Sequence, residues 1–363
     1  MSITATPHPR RSVLKAVIEE ARNRARRRRT RYTLVAVLVV ATAMGTYFSA
    51  HRGGGGGAPS AARSLQRIDI VPSAKPRTNG ALTIMDLQAN AKHEGPPGWY
   101  SISTVDKLGR LHKLARCSVH VRWCGEVESI DWSPDGRSLA FAVISISMRN
   151  PFNGVHVLNL QTGRDVQILK AGQHGEYDWP SLDWSPDGKR LAYAANGGIA
   201  VINADGSSRE LLRSPKDRFD RAPSWSPDGA WIAFASSGPQ EYPGIWAMRA
   251  DGSERRQLVR SGAAPAWSPD GSRIAFHAPR AQIEFVSPNG KLLSPRPPFR
   301  AGASVGIDGS PVWSPDGKNI AMSSRRYGTY VMNADGTELE RRTPHAVGVS
   351  IGQPPRPAWR PVP

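Results

Sequence analysis

The stretch SWSPDGAWIAF, Ser224–Phe234, recurs along the chain with small changes, and it decides the fold. Four further copies read DWSPDGRSLAF, DWSPDGKRLAY, AWSPDGSRIAF and VWSPDGKNIAM. In each copy proline sets φ at the second turn position, aspartate suits the third, and glycine takes the positive φ that closes a tight reversal. Each copy therefore predicts a strand that ends in Trp, a tight turn and a second strand.

The copies follow one another at the short period that is typical of repeat proteins. Their tryptophans, which we interpret as structural side chains between sheets, are Trp132, Trp184, Trp225, Trp267, Trp313 and Trp359. A second turn phrase, seen as VINADGS, AMRADGS, FVSPNGK and VMNADGT, alternates with them, so each repeat holds four short strands. One such sheet cannot bury both faces, but radially arranged sheets cover each other. The sequence predicts an all-β, six-bladed β-propeller of four-stranded antiparallel blades over residues 81–363.

The last copy of the phrase is shortened to PAWRPVP, residues 357–363. The first strands of the domain, in ALTIM, WYSIST and LHKLA, have no Trp-ending strand before them. We therefore expect the C-terminal strand, residues 357–360, to pair with the N-terminal strands. This pairing completes one blade and closes the ring.

The phrases WSPDG, IAF and VMNADG resemble the repeats of TolB-like, WD-repeat-like β-propellers over about residues 81–361. The resemblance implies the propeller fold and is much less specific for function. TolB proteins carry a small α/β domain before the propeller, and nothing of that kind fits between Ala50 and Ala81. The resemblance therefore extends to the repeat and not to the whole TolB protein.

The net charge of +18 is concentrated outside the repeat region. Residues 1–31 hold 10 Lys or Arg and 2 Glu, residues 51–80 hold 5 and 1, and residues 81–363 hold 33 Lys or Arg against 27 Asp or Glu. A nucleic-acid-binding domain is expected to carry a concentrated basic patch of its own. We therefore predict no nucleic-acid partner.

An uncharged stretch, YTLVAVLVVATAMGTYFSA at residues 32–50, follows the basic residues 1–31. As a helix it would rise roughly 28 Å, enough to cross a hydrocarbon core. The positive-inside rule makes residues 1–31 a cytoplasmic segment, residues 32–50 a single transmembrane helix and residues 51–80 a Gly/Pro-rich linker to an extracytoplasmic propeller. A cleaved signal peptide and a twin-arginine signal, from PRRSVLK at residues 9–15, are the alternatives.

Two cysteines, Cys117 and Cys124, lie on the outer side in this topology. Outside the cytoplasm a disulfide between them is expected, with two unpaired thiols as the alternative. The chain has no CxxC spacing, so the sequence supports neither a zinc site nor a thioredoxin-type motif.

Candidate catalytic groups have structural interpretations. The turn carboxylates of the repeat occupy equivalent positions, and we interpret them as structural; they are Asp135, Asp187, Asp228, Asp270 and Asp316. GASVG, residues 302–306, matches a hydrolase nucleophile pattern around Ser304, but that pattern needs an α/β domain that the chain does not offer. A metal site assembled from His93, His120, His174 and His345 stays open as an alternative, since HExxH is absent. No metal and no cofactor are predicted.

The connections that do not contain the two turn phrases are irregular and lie together on one face of the predicted propeller, where binding usually resides. They mix aromatic residues with charges of both signs, which suits protein or peptide contacts. The predicted binding residues are Arg149, His174, Glu176, Tyr177, Asp178, Arg218, Phe219, Arg221, Tyr242, Arg300 and Arg326. Asp131 and Asp183, just before Trp in the innermost strand, either face the channel or cap strand ends.

These observations predict a membrane protein whose external propeller binds a protein, a peptide or an envelope component. The competing function is a lyase or hydrolase with a channel-centred, possibly metal-dependent site. That enzyme would depend on His174 or His345 together with loop carboxylates.

Overall fold

The computed structural model describes residues 78–88, 99–106, 110–116, 126–144, 153–170, 181–212, 214–239, 241–279, 282–293, 310–324, 328–343 and 357–362. Within these ranges no helix has the length and apolar character needed to cross a membrane. The predicted transmembrane helix, the basic segment before it and nearly all of the linker lie outside them, as do Cys117 and Cys124.

The described residues form six four-stranded antiparallel sheets, which confirms the predicted six-bladed propeller. Blades 1 to 3 contain, from the inner strand outward, β24 (Ala358–Val362), β1 (Thr78–Gln88), β2 (Trp99–Val105) and β3 (Leu111–Arg116); β4 (Glu126–Trp132), β5 (Ser138–Ile144), β6 (Gly154–Asn159) and β7 (Asp165–Lys170); and β8 (Leu182–Trp184), β9 (Arg190–Ala195), β10 (Gly198–Asn203) and β11 (Glu210–Leu212). Blades 4 to 6 contain β12 (Phe219–Trp225), β13 (Trp231–Ser237), β14 (Gly244–Arg249) and β15 (Arg256–Val259); β16 (Ala263–Trp267), β17 (Ile274–Ala278), β18 (Gln282–Val286) and β19 (Leu292–Leu293); and β20 (Val312–Trp313), β21 (Asn319–Ser324), β22 (Gly328–Asn333) and β23 (Glu340–Arg341).

The same backbone bonds close each WSPDG turn. In blade 4 the Gly229 N–H donates to the Ser226 carbonyl at 2.9 Å, and the Ser226 N–H donates to the Trp231 carbonyl at 2.8 Å. The four other copies repeat both bonds at 2.8–2.9 Å. Gly229 has a φ of 71°, a value that a residue with a side chain rarely adopts, so the glycine of the phrase is required by the turn.

The hydrophobic core lies between neighbouring blades, and the second strands of blades 2 to 6 contribute to it with both faces. In β5, Leu139 and Phe141 pack toward blade 1, whereas Ala140 and Ala142 pack toward blade 3. A strand buried on both sides needs a continuous apolar run and not strict alternation, and the SLAF, RLAY, WIAF and RIAF segments have that run. The repeated phrase therefore encodes a sheet that is sandwiched by its neighbours.

The inner strands contact one another around the whole ring, from β4 through β8, β12, β16 and β20 to β24 and back to β4. Among the described side chains, three of the six repeat tryptophans are covered by a guanidinium from the preceding blade. Arg360 lies 4.9 Å from the Trp132 ring, Arg190 lies 4.8 Å from Trp225, and Arg273 lies 5.1 Å from Trp313. These cation–π contacts alternate around the ring, at the junctions of blades 1 and 2, 3 and 4, and 5 and 6.

The turn carboxylates make the same hydrogen bonds in each copy. In blade 2 the Ser133 hydroxyl donates to Asp135 Oδ1 at 2.6 Å, and the Arg137 N–H donates to the same oxygen at 3.0 Å. Burial alone would raise the pKa of Asp135, but these hydrogen bonds hold it below its ordinary value. The pKa values of Asp187 and Asp270 are lowered in the same way, against the same effect of burial.

The stability of the propeller is expected to fall in acid because of these carboxylates. A carboxyl group whose pKa is lower in the folded state contributes stability that is present above the unfolded value, 3.8, and is lost as the pH falls through the folded value. Replacing Asp135, Asp187 and Asp270 by Asn removes this titration. The triple variant should therefore lose less of its urea midpoint than the wild type between about pH 5 and about pH 3. Equal losses in the two proteins would contradict the prediction.

Candidate functional site

The two ends of the propeller differ in kind. The WSPDG turns and the turns between the third and fourth strands lie at one end, which we call the turn end. The remaining connections begin and finish at the opposite end, which we call the loop end. For blade 4, the described residues at the loop end are 214–218, which precede β12, and 238–239 and 241–243, which lie between β13 and β14.

A cavity of about 520 Å³ opens among the inner strands and WSPDG turns. All six repeat tryptophans line it, and the charged lining side chains are Asp131, Asp183, Asp270, Asp316 and Arg273. Asp270 and Asp316 each accept a hydrogen bond from the serine of their own turn, at 2.6 and 2.7 Å. The acidic character of this cavity therefore comes partly from side chains that also hold the turns.

Asp131 and Asp183 connect neighbouring blades. The backbone N–H of Trp184 donates to Asp131 Oδ2 at 2.7 Å, and the backbone N–H of Trp225 donates to Asp183 Oδ2 at 2.7 Å. In blade 4, Ser224 accepts from the Trp267 N–H at 3.1 Å in the same manner. Both aspartates thus line the cavity and bond the next inner strand, and their predicted role in ligand binding stays a prediction.

The blade-4 rim, at the loop end, is the second candidate. We define it as Lys216, Arg218, Phe219, Arg221, Glu241, Tyr242 and Arg260. Phe219 is 41% exposed and Tyr242 is 52% exposed, which is unusual because the other large apolar side chains of blade 4 are at least partly buried. Aromatic side chains flanked by arginine are the composition that dominates binding energy at protein interfaces.

Arg218, directly before Phe219, contacts the connection that carries Tyr242. Its Nε donates to the Ser236 hydroxyl at 3.2 Å, and one terminal nitrogen lies 3.4 Å from a Glu241 carboxylate oxygen. Its guanidinium also lies 5.1 Å from the Trp246 ring centroid. Arg218 is therefore a positioning residue that fixes Phe219 relative to Tyr242.

Backbone bonds fix the rim to the neighbouring blades. The Asp220 N–H donates to the Gly197 carbonyl of blade 3 at 2.9 Å, and the Gly262 N–H donates to the Pro243 carbonyl at 2.7 Å. The second bond places the connection that contains Arg260 beside Tyr242. The rim is therefore built on strands and backbone bonds and needs little ordering when a partner binds.

A buried ion pair lies beneath the rim. Both terminal nitrogens of Arg255 donate to the Asp220 carboxylate, at 2.6 and 2.7 Å, and one of them also donates to Ser236 at 2.9 Å. The Asp220 side chain is fully buried and that of Arg255 is 14% exposed. The Arg255 guanidinium lies 4.6 Å from the ring of Phe234, a residue of the same blade that packs in the hydrophobic cluster shared with blade 3.

A β-bulge separates the buried and exposed parts of β12. The register with β13 shifts between Arg221 and Ser224, and Ala222 has a φ of 51°. Bulges bend a strand and change the direction of its side chains, often beside functional sites. Before the bulge the strand alternates regularly, so Asp220 is buried between the exposed Phe219 and Arg221.

The structure brings together four of the predicted loop-face residues, Arg218, Phe219, Arg221 and Tyr242. The other seven lie outside the described residues, and they are Arg149, His174, Glu176, Tyr177, Asp178, Arg300 and Arg326. Ser304 and the loop histidines 93, 120, 174 and 345 lie outside them as well. Within the described ranges no cluster of His, Cys, Asp and Glu could hold a metal ion.

Sequence reasoning missed Glu241, Lys216 and Arg260 of the rim and the buried pair beneath it. Lys216 and Arg260 are exposed cations in short connections, and composition alone does not separate them from other surface charges. Asp220 and Arg255 stand 35 residues apart at positions that the repeat does not mark. The one signal in the sequence was Asp220 itself, which alternates with Phe219 and Arg221 in the segment KDRFDRA, residues 216–222.

Comparisons with known proteins agree on the repeat type. The family model of the TolB beta propeller domain matches residues 126–289. No curated protein sequence matches the chain significantly.

Solved structures share the fold. The nidogen/laminin complex is 12% identical, with a TM-score of 0.55 over 77% of this chain and 98% of that chain. TolB from Acinetobacter baumannii is 21% identical, with a TM-score of 0.54 over 77% of this chain and 67% of that one. The putative TolB from Agrobacterium tumefaciens is 17% identical, with a TM-score of 0.51 over 74% and 95%.

Proposed function

We propose that this chain, whose repeats are of the TolB β-propeller type, is a membrane-anchored, extracytoplasmic module that binds a protein or peptide of the cell envelope through the blade-4 rim. The observation that carries the proposal is the exposure of Phe219 and Tyr242 on a preorganised surface. Residues 32–50 supply the anchor in this proposal. The module acts by reversible binding, and the rigid propeller holds the rim in place.

A partner that covers the two exposed aromatic rings would remove apolar surface from water. Burying a large apolar side chain contributes about 1.5–3 kcal/mol. The Arg218–Glu241 pair holds the connections beneath the rings, so binding need not pay for ordering them. Phe219 and Tyr242 are therefore expected to be the hot spots of the interface.

Photocrosslinking in intact cells tests the proposal. A benzoylphenylalanine replaces Tyr242 in the full chain, and the same group at Leu292 is the matched control. Leu292 is 53% exposed, and it begins β19 at the turn end. A discrete protein adduct is expected from position 242, in the carbonate-washed membrane fraction, and not from position 292. Adding Phe219→Ser should abolish the adduct, while adding Leu111→Ser, which removes an exposed side chain at the turn end, should preserve it.

Three outcomes would count against the proposal. Equal adducts from positions 242 and 292 would show that binding is not specific to the blade-4 rim. An adduct that survives Phe219→Ser in a variant that still folds would show that the aromatic pair does not form the interface. Release of the chain from membranes by carbonate would show that residues 32–50 do not anchor it in the bilayer.

A further inference from the structure

The connections at the two ends of the propeller differ in charge. Those at the loop end contain 14 Lys or Arg and 6 Asp or Glu in the sequence, a net charge of +8. Those at the turn end contain 10 Lys or Arg and 11 Asp or Glu, a net charge of −1. By chain order, the small positive charge of the repeat region therefore belongs to the connections that join strands at the loop end, and most of those cations lie outside the described residues.

The blade-4 rim shows this polarity among described side chains. Lys216, Arg221 and Arg260 are exposed cations, and Arg218 adds a fourth whose charge is offset by Glu241. The neighbouring Asp217 is an exposed anion, so the rim with Asp217 keeps a net charge of +2. At the turn end the exposed Arg137 and Lys189 each stand within two residues of a turn aspartate, which balances them.

We infer that the partner of the blade-4 rim is an acidic protein segment that also brings apolar or aromatic side chains. Charge complementarity selects the sign of the partner, and it speeds encounter more than it tightens the final complex. The exposed rings of Phe219 and Tyr242, set among the cations, select a protein over a polyanionic polymer, because a polymer without apolar groups would leave them uncovered. This inference rests on the proposed function and names the class of partner.

Binding of defined peptides to the purified full chain tests the inference. The probes are labelled peptides of repeated Glu-Glu-Tyr, Glu-Glu-Ser and Lys-Lys-Tyr triplets, measured by fluorescence anisotropy at low and at physiological salt. The Glu-Glu-Tyr peptide should bind most tightly, and its affinity should fall as salt is added. The Lys-Lys-Tyr peptide should bind least.

Two charge-reversal variants locate the effect. The rim variant combines Lys216→Glu, Arg221→Glu and Arg260→Glu, and the turn-end variant combines Arg137→Glu, Lys189→Glu and Lys318→Glu. All six side chains are exposed, and both variants change the net charge equally. The rim variant should weaken the Glu-Glu-Tyr peptide about tenfold or more, because three cations near the contact are reversed, whereas the turn-end variant should leave it within about twofold.

The outcomes separate this inference from the proposed function. Equal weakening by the two variants, or tighter binding of the basic peptide, overturns the acidic partner while a crosslink from position 242 still supports a binding rim. If the serine peptide binds as tightly as the tyrosine peptide, and heparin displaces both, the ligand is a polyanion and the protein class is wrong. Loss of the position 242 crosslink refutes the proposed function, whatever the peptides show.

Discussion

Asp220→Ala is expected to destabilise the propeller by about 3–5 kcal/mol, because it leaves the buried guanidinium of Arg255 without its carboxylate. The aspartate accepts two charge-assisted hydrogen bonds, at 2.6 and 2.7 Å, and its side chain has no exposed surface. Water has no access to the carboxylate and cannot replace those bonds. The loss should appear as a lower urea midpoint of the full chain with an unchanged slope.

A double-mutant cycle separates the contribution of the ion pair to stability from that of the surrounding packing. Arg255→Met keeps an apolar stem against Phe234, and the double variant removes both charges together. The double variant should be more stable than Asp220→Ala alone, since replacing a buried ion pair by apolar groups is often neutral.

The exposed pair Arg249–Glu254 is the matched control, at 3.4 Å and with both side chains more than 40% exposed. Glu254→Gln should cost less than about 1 kcal/mol. An Asp220→Ala variant that unfolds at the same urea concentration as Glu254→Gln would show that the buried pair does not stabilise blade 4.

The fold could be predicted from the sequence because its determinants are local and repeated. Ser, Pro, Asp and Gly of one phrase specify a turn by their own backbone preferences, and Gly229 requires a positive φ in any surrounding. The apolar run that follows the turn specifies a strand buried on both faces. Six copies of such a sheet can bury each other only around a ring.

The candidate site was predictable only in part, because its geometry depends on pairs that are distant in sequence. The loop-face location of Phe219 and Tyr242 follows from the order of strands and turns. The ion pair between Arg218 and Glu241 spans 23 residues, and no repeat position marks it. Alternation along β12 places Asp220 and Arg221 on opposite faces, but the β-bulge that follows at Ala222 is not marked in the sequence.

The charge difference between the two ends could also be predicted only in part. Total charge, its division by region and the end to which each connection belongs can be read from the sequence. Which charged side chains are exposed, and which have a charged neighbour that balances them, is known only from the structure. Lys216, for example, is exposed at the loop end. Turn-end cations such as Lys189 lie beside turn aspartates that balance them.

Gly136→Ala is expected to destabilise the propeller by about 2–5 kcal/mol, because it disturbs the junction that closes the ring. Gly136 has a φ of 67°, and a Cβ there would lie 2.2 Å from the carbonyl oxygen of Pro361 in β24. The left-handed conformation costs a residue with a side chain about 1–2 kcal/mol, and overpacking adds about 1–3 kcal/mol. The Arg360 Nε donates to the Gly136 carbonyl at 3.0 Å, so moving the turn away also weakens a bond from the C-terminal strand.

Two glycines with the same backbone conformation isolate the contribution of closure. Among the described residues, nothing lies within 4 Å of a Cβ added at Gly163, which has a φ of 68°, and a Cβ added at Gly188, which has a φ of 71°, meets only Pro134 at 3.6 Å. Gly163→Ala and Gly188→Ala should each cost only the conformational term of about 1–2 kcal/mol. The excess in Gly136→Ala then measures how tightly the turn of blade 2 packs on β24. If all three variants lose the same free energy of unfolding, the C-terminal strand can move away from the added methyl group without loss of stability. The contact at Pro361 would then not determine the stability of the closed ring.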